Sequence, residues 1–135
     1  MGLLDQRMLP GEVVWLWPET LDEVADAIRT LAVRGAPAIG VSAAFGMAMF
    51  GAVDGDAAAF RAGFDRVAAV LAGTRPTAVN LFWAIERMRR KARKIETLDP
   101  AARRHALDAE AAAIREEDLE SCHSIGRFGG PLIQR

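Results

Sequence analysis

The stretch "VRGAPAIGVSAAFGMAMFGAV", Val33 to Val53, decides the fold. After Arg34 it carries no charge, and its last 18 residues, from Ala36 on, reach the length at which a membrane span has to be considered. The composition points elsewhere. The segment is mostly Ala and Gly, with few large side chains, and neither an aromatic belt nor a basic flank frames it. A segment apolar on all sides reads as a helix at the centre of a helical bundle. Pro37 is placed to open that helix, because a missing N–H costs nothing in the first turn. Small residues such as Ala38, Gly40, Ser42 and Gly46 admit neighbouring helices closely, while Ile39, Val41, Phe45 and Met47 fill the gaps.

Outward from this centre the pattern stays helical. Thr20 with Glu23 three residues on forms a capping box, and Val24, Ile28 and Leu31 then share one face. That helix is expected to end near Arg34-Gly35. Asp54 to Asp56 breaks the chain and caps a third helix with Phe60, Phe64, Val67 and Leu71 inward and Gly73 at its end. Thr74-Arg75-Pro76 is read as the opening of a fourth, whose inner face carries Leu81, Ile85, Met88, Ala92 and Ile95. Asp99-Pro100 caps a fifth, with Leu107, Ala111, Ile114, Cys122 and Ile125 inward. Before the first helix, Pro10-Gly11 separates two short apolar runs, the second being the β-rich "VVWLW". The expectation is a mainly α fold. One N-terminal helical domain over residues 1–135 would hold a β-hairpin or strand pair in 1–18, about five helices in 20–126, and a truncated linker in 127–135, where "GRFGGPLIQR" reads as a loop.

Composition narrows the function classes. Net charge is −1, half the residues are apolar and a quarter are charged, as in ordinary globular domains. The densest basic run, "RMRRKARK" from Arg87, reads as a solvated helix face, so no nucleic-acid partner is expected. One cysteine, Cys122, excludes an internal disulfide, and with no signal-like start the chain is expected in the cytoplasm. Two histidines and one cysteine make a metal site of usual composition an unsuitable reading, so no metal and no cofactor are expected. Cys122-His123 does not form a nucleophile–base pair, since successive helical residues point apart. The cluster Glu116, Glu117, Asp118 and Glu120 reads as solvated.

The chemistry concentrates in "RGAPA" (Arg34 to Ala38) and "TRPTAVN" (Thr74 to Asn80). Each sets an arginine beside a proline-bearing helix start. Helix N-termini present unpaired N–H groups and partial positive charge to anions. Gly35 permits φ > 0 and close backbone approach, and arginine adds a donor fork matched to phosphate or carboxylate. Thr77 and Asn80 add a hydroxyl and an amide one turn further on. Ordinary loop-to-helix connections, with the arginines paired to Asp5 or Glu12, explain the same residues equally well.

Three segments, "LDQRMLP", "AIRTLAVRGAPAIGVSAAFG" and "TRPTAVNLFWAIERM", in this order resemble the methylthioribose-1-phosphate isomerases of methionine salvage. These share a superfamily with the regulatory subunits of translation initiation factor 2B and with ribose-1,5-bisphosphate isomerase. "RGAPAIG" points to the broad group and "RPTAVNLFWA" to the methylthioribose-phosphate branch. The resemblance implies an aldose-to-ketose isomerisation of a phosphosugar. It assigns substrate contacts to Arg34, Gly35, Ala36 and Arg75, with Thr77 and Asn80 as a supporting shell. It also implies a longer parent, forming a homodimer, whose Rossmann-like second domain and catalytic cysteine and aspartate have no counterpart before Arg135. No catalytic residue is therefore expected in this chain, and no turnover from it alone. The alternatives are a protein-interaction module like the initiation-factor subunits, a ribose-1,5-bisphosphate isomerase fragment, or a degenerate product without function.

Overall fold

The computed structural model describes residues 1–52 and 54–133. Within them the chain forms β1 (Leu3–Leu4), β2 (Trp15–Leu16), α1 (Leu21–Arg29), α2 (Ala36–Gly51), α3 (Ala57–Ala72), α4 (Val79–Ile95) and α5 (Pro100–Ile133). This is the mainly α bundle with a leading strand pair that the sequence patterning predicts. Helix α2 packs against each of the other four helices, as its all-round apolar surface requires. Ile28 of α1, Met47 of α2, Phe60 and Leu71 of α3, Leu81 and Met88 of α4 and Leu107 of α5 are fully buried around it. No helix among the described residues is long and apolar enough to cross a membrane.

The strand pair is antiparallel, with Leu3 opposite Leu16 and Leu4 opposite Trp15, and Asp5 N–H extends the ladder to the Val14 carbonyl at 2.9 Å. Asp5 is buried and held by Arg7, whose Nη2 and Nε lie 2.6 and 2.8 Å from its oxygens. These bonds keep the Asp5 carboxyl below the usual carboxylate range and raise the Arg7 guanidinium. On α1 the capping box forms as expected: Thr20 Oγ1 accepts from Glu23 N–H, and Glu23 Oε2 accepts from the Glu19 and Thr20 N–H groups. Asp56 caps α3 through Ala59 N–H at 2.8 Å, and Asp99 caps α5 through Ala102 N–H at 2.9 Å. Arg103 on α5 is buried, bonds the Gly55 carbonyl at 2.9 Å and lies 4.8 Å over the Phe60 ring, tying α5 to the approach to α3.

Four boundaries differ from the sequence reading. Helix α1 stops at Arg29 instead of near Arg34-Gly35. The Thr30 hydroxyl and N–H both bond the Asp26 carbonyl, and Leu31 takes a left-handed φ of 64°, which turns its side chain out to solvent. Helix α2 starts one residue early, with Pro37 second. Helix α4 starts at Val79, not at Thr74-Arg75-Pro76. Pro76 instead occupies the second position of a turn closed by Ala78 N–H on the Arg75 carbonyl at 3.0 Å, a place that a fixed φ suits equally well. Finally, residues 127–133 are helix rather than loop, and Gln134 and Arg135 lie outside the described residues. Each glycine costs a helix about 1 kcal/mol, a penalty that extension of an existing helix tolerates. The 34 residues of α5 span about 51 Å and outrun its neighbours. Cys122 and Ile125, expected inward, are consequently exposed.

Candidate functional site

The Arg34 segment is held by Gln6, just after β1, and by α1. Gln6 N–H donates to the Ala32 carbonyl at 2.9 Å, and Gln6 Nε2 donates to the Arg34 carbonyl at 3.2 Å. Val33 N–H reaches back to the Ala27 carbonyl at 3.0 Å. Gly35 follows with φ 90° and ψ 133°, a conformation open to glycine, and serves as the N-cap of α2. Its carbonyl receives the Ile39 N–H at 3.0 Å. No side chain caps this helix and its first turn carries no acid. Among the described residues the Ala36 and Ala38 N–H groups have no partner.

The Arg75 segment is fixed from α3. Thr74 is buried, and its N–H and hydroxyl both donate to the Leu71 carbonyl, at 3.0 and 2.6 Å. The Arg75–Ala78 turn then delivers the chain to α4, whose N-cap is Ala78, again without a side-chain cap or an acid in the first turn. Arg34 is exposed and Arg75 half-buried. Neither side chain forms an ion pair or hydrogen bond among the described residues, so the pairing with Asp5 or Glu12 is not what occupies them. Asp5 is engaged by Arg7.

These two segments lead into helix starts that touch. A Cβ on Gly40 would lie 2.9 Å from the Asn80 carbonyl oxygen, so this glycine lets the first turn of α4 rest on α2. Pro37 and Asn80 together border an open groove of about 340 Å³ between α2, α4 and α5. Its apolar lining comes from Pro37, Val41, Trp83 and Ile114. Glu117, Asp118 and Ser121 supply a polar rim. Trp83 carries the Arg87 guanidinium at 5.6 Å from its ring centre. Arg87 in turn bonds Glu110 Oε1 and Glu117 Oε1, each at 2.7 Å. That network lowers both glutamate pKa values and raises that of Arg87.

The structure thus brings the first turns of α2 and α4 to one groove through Pro37 and Asn80, while Arg34, Gly35, Ala36, Arg75 and Thr77 lie outside its lining. Thr77 is exposed in the turn before α4. Cys122, His123 and His105 are exposed on α5, away from the groove lining. In the basic run, Arg87, Arg89, Lys91 and Arg93 each pair with a carboxylate. Sequence reasoning missed Gln6, which holds the Arg34 loop across 28 residues, and the Trp83–Arg87–Glu117 wall. Trp83 and Arg87 share a face of α4 at i,i+4 spacing, but Glu117 lies 30 residues on in α5 and leaves no local signature.

A helical bundle with two uncapped helix starts, each preceded by an unpaired arginine and meeting at one groove, is the class that this geometry defines. Residues 32–135 match the initiation factor 2 subunit family, and the chain belongs to that family. Within it, the chain is 51% identical to a methylthioribose-1-phosphate isomerase of Geotalea daltonii over 98% of its own length. It is 46% identical, over 97% of its length, to a 5-deoxyribose 1-phosphate isomerase of Moorella thermoacetica. The chain spans 39% and 38% of those two relatives. The crystal structure of 5-methylthioribose 1-phosphate isomerase from Pyrococcus horikoshii superposes with a TM-score of 0.88 at 35% identity, over 95% of this chain and 36% of that one.

Proposed function

We propose that this chain supplies the phosphosugar-holding helical part of an aldose–ketose isomerase that converts 5-methylthioribose 1-phosphate to 5-methylthioribulose 1-phosphate. The observation that carries the reading is the contact of two uncapped helix starts, α2 and α4, each led by an arginine without an acidic partner. In this reading Arg34 and Arg75 hold phosphate or sugar oxygens. The amides of Gly35 and Ala36 add donors, and Thr77 and Asn80 support them. Such groups position substrate and stabilise charge; they do not move protons. An aldose–ketose isomerisation needs a group that removes a proton from one carbon and returns it to the next. The carboxylate Glu117 at the groove is engaged by Arg87, which leaves it a poor base. The chain alone is proposed to bind without turnover, with a homodimer and a cytoplasmic setting proposed for the longer parent. A purely protein-binding module has no need of two free arginines at adjoining helix starts, which favours the substrate reading.

The test is a titration of the 135-residue chain with 5-methylthioribose 1-phosphate, followed by amide chemical shifts. Shifts centred on Gly35, Ala36 and Ala38 are expected, weakened by Arg34→Ala and by Arg75→Ala. Shifts elsewhere, or shifts indifferent to both substitutions, refute the reading. An isomerase assay on the same sample is expected to give no product.

A further inference from the structure

Among the described residues, one hydrogen bond holds the peptide that joins Arg34 to Gly35. Gln6 Nε2 donates to the Arg34 carbonyl at 3.2 Å, and the Gly35 N–H has no partner. In a trans peptide the N–H points opposite to the C=O. Gln6 draws the carbonyl toward itself and so turns the Gly35 N–H the other way. The space around Gly35 is open: a Cβ there would meet nothing within 4 Å. Glycine also makes this peptide easy to turn over. Gly35 sits at φ 90° and ψ 133°, and without a Cβ it accepts other φ values readily. Turned over, the peptide shows an oxygen where it had shown an N–H, and an anion meets an acceptor in place of a donor.

The residue that prevents this is itself fixed. Gln6 N–H bonds the Ala32 carbonyl at 2.9 Å. Before it, Asp5 N–H bonds the Val14 carbonyl at 2.9 Å, and the buried Asp5 carboxylate is gripped by Arg7. Arg7 Nη1 reaches on to Thr30 Oγ1 at 3.1 Å. Asp5, Gln6 and Arg7 thus hold the turn after α1 at Thr30, Ala32 and Arg34. Between the first two lies Leu31 at φ 64°, a conformation that leucine keeps only where its surroundings impose it. The bonds to Thr30 and Ala32 shape the turn, and the bond from Gln6 to Arg34 alone bears on the peptide that leads into α2.

We propose that Gln6 is a positioning residue of the phosphosugar site, its carboxamide keeping the Arg34–Gly35 peptide turned so that the Gly35 N–H is available to an anion. The inference rests on the phosphosugar reading above and adds a residue which that reading does not use. Gln6 itself touches no substrate. It acts through Gly35, so that the donor is oriented on folding and not at the moment of binding.

Three variants of the 135-residue chain test this. Gln6→Met keeps the side chain's length and removes its donor. Gln6→Ala removes the side chain and leaves the backbone bond to Ala32. Thr30→Val cuts the other end of the same clamp without touching the Arg34–Gly35 peptide. Gln6 is half-buried and Thr30 exposed, so all three are expected to fold. Each is titrated with inorganic phosphate and with 5-methylthioribose 1-phosphate, followed by amide shifts, beside ¹⁵N relaxation without ligand and thermal melts. Both Gln6 variants are expected to bind both probes about fivefold more weakly, and Gly35 to gain picosecond-to-nanosecond motion. Thr30→Val is expected to melt lower yet keep the affinity and the Gly35 relaxation of the unaltered chain. Unchanged affinity in both Gln6 variants, where Arg34→Ala does weaken binding, overturns the role of Gln6 and leaves the phosphosugar reading standing. A loss in Thr30→Val equal to that in Gln6→Met does the same, because the clamp then serves stability alone. Absence of any shift at Gly35 and Ala36 with either probe in the unaltered chain sinks the phosphosugar reading itself, and the role of Gln6 with it.

Discussion

Substituting alanine for Gly40 tests the contact on which the site depends. The new Cβ would sit 2.9 Å from the Asn80 carbonyl oxygen and 3.4 Å from the Ala84 Cβ. An ordinary C–H···O approach is about 3.3–3.6 Å, so the overlap is roughly half an ångström. The obstructing atom is backbone in the first turn of α4 and cannot rotate aside; α4 has to move. Overpacking of this kind costs about 1–3 kcal/mol. The substitution also removes the intrinsic helix penalty of glycine, about 1 kcal/mol in the opposite direction. Gly126→Ala separates the two effects. Gly126 is also helical, but its Cβ would meet nothing within 4 Å, so only the propensity gain applies. The difference between the two variants in urea denaturation is then the packing cost alone, about 1–3 kcal/mol with Gly40→Ala the less stable. For a chain of this size, that is a separation of several degrees in Tm. The amide shifts of Ala36 and Asn80 should also move in Gly40→Ala. If Gly40→Ala stabilises as much as Gly126→Ala, α2 and α4 do not meet at that point, and the juxtaposition of the two arginine-bearing segments is wrong.

Three further outcomes are expected. Gly35→Ala should destabilise by about 1–3 kcal/mol although open space surrounds the Cβ, because φ 90° excludes a side chain; unchanged stability in thermal melts would show that the loop conformation is misjudged. Ala78→Asp supplies α4 with the cap it lacks and should raise stability by about 1 kcal/mol, while placing a carboxylate where an anion would bind. Phosphosugar affinity should fall in that more stable variant, and an unchanged affinity counts against the site. The Arg87 bonds hold Glu110 and Glu117 below the ordinary glutamate value of 4.5, so the unfolded chain takes up protons first as pH drops. The stability this network gives is complete above that value and is lost as pH falls through the lowered ones, so Glu110→Gln should flatten the acid limb of a stability–pH curve.

The parts of this molecule that obey a local rule were legible in its sequence. The 3.6-residue recurrence of Phe60, Phe64, Val67 and Leu71 gives the buried face of α3, and Thr20 with Glu23 gives the start of α1. Gly35 does take a positive φ. Errors arose where one residue satisfies two rules. Proline suits the first turn of a helix and the second position of a β-turn alike, and at Pro76 the Thr74 bonds to Leu71 select the turn. Leu31 fits the apolar spacing of α1, yet the helix ends before it because Thr30 engages Asp26. Cys122 and Ile125 continue the inward spacing of α5 past the point where any neighbour lies alongside, and spacing carries no information about where a neighbour stops. The groove was illegible for a related reason. Gln6 with Arg34 and Arg87 with Glu117 are joined by the folding of distant segments, and nothing in either local pattern announces its partner.

Caps and packing divide the labour of holding these helices. Thr20, Asp56 and Asp99 cap α1, α3 and α5, each worth about 1 kcal/mol. Helices α2 and α4 forgo that contribution: Gly35 and Ala78 stand where a cap would be. They also pack directly on each other, with Gly40 against Asn80 and with Met47, Leu81 and Met88 fully buried. Helix α1, nine residues long with one buried face, has little besides its cap to define its start. Helix α2 is held by neighbours on every side, so its first turn can remain unsatisfied without the helix fraying. The small residues that let α4 approach therefore serve two ends at once. They make the centre of the bundle dense, and by replacing capping with packing they leave two helix starts, side by side, with N–H groups free to receive an anion.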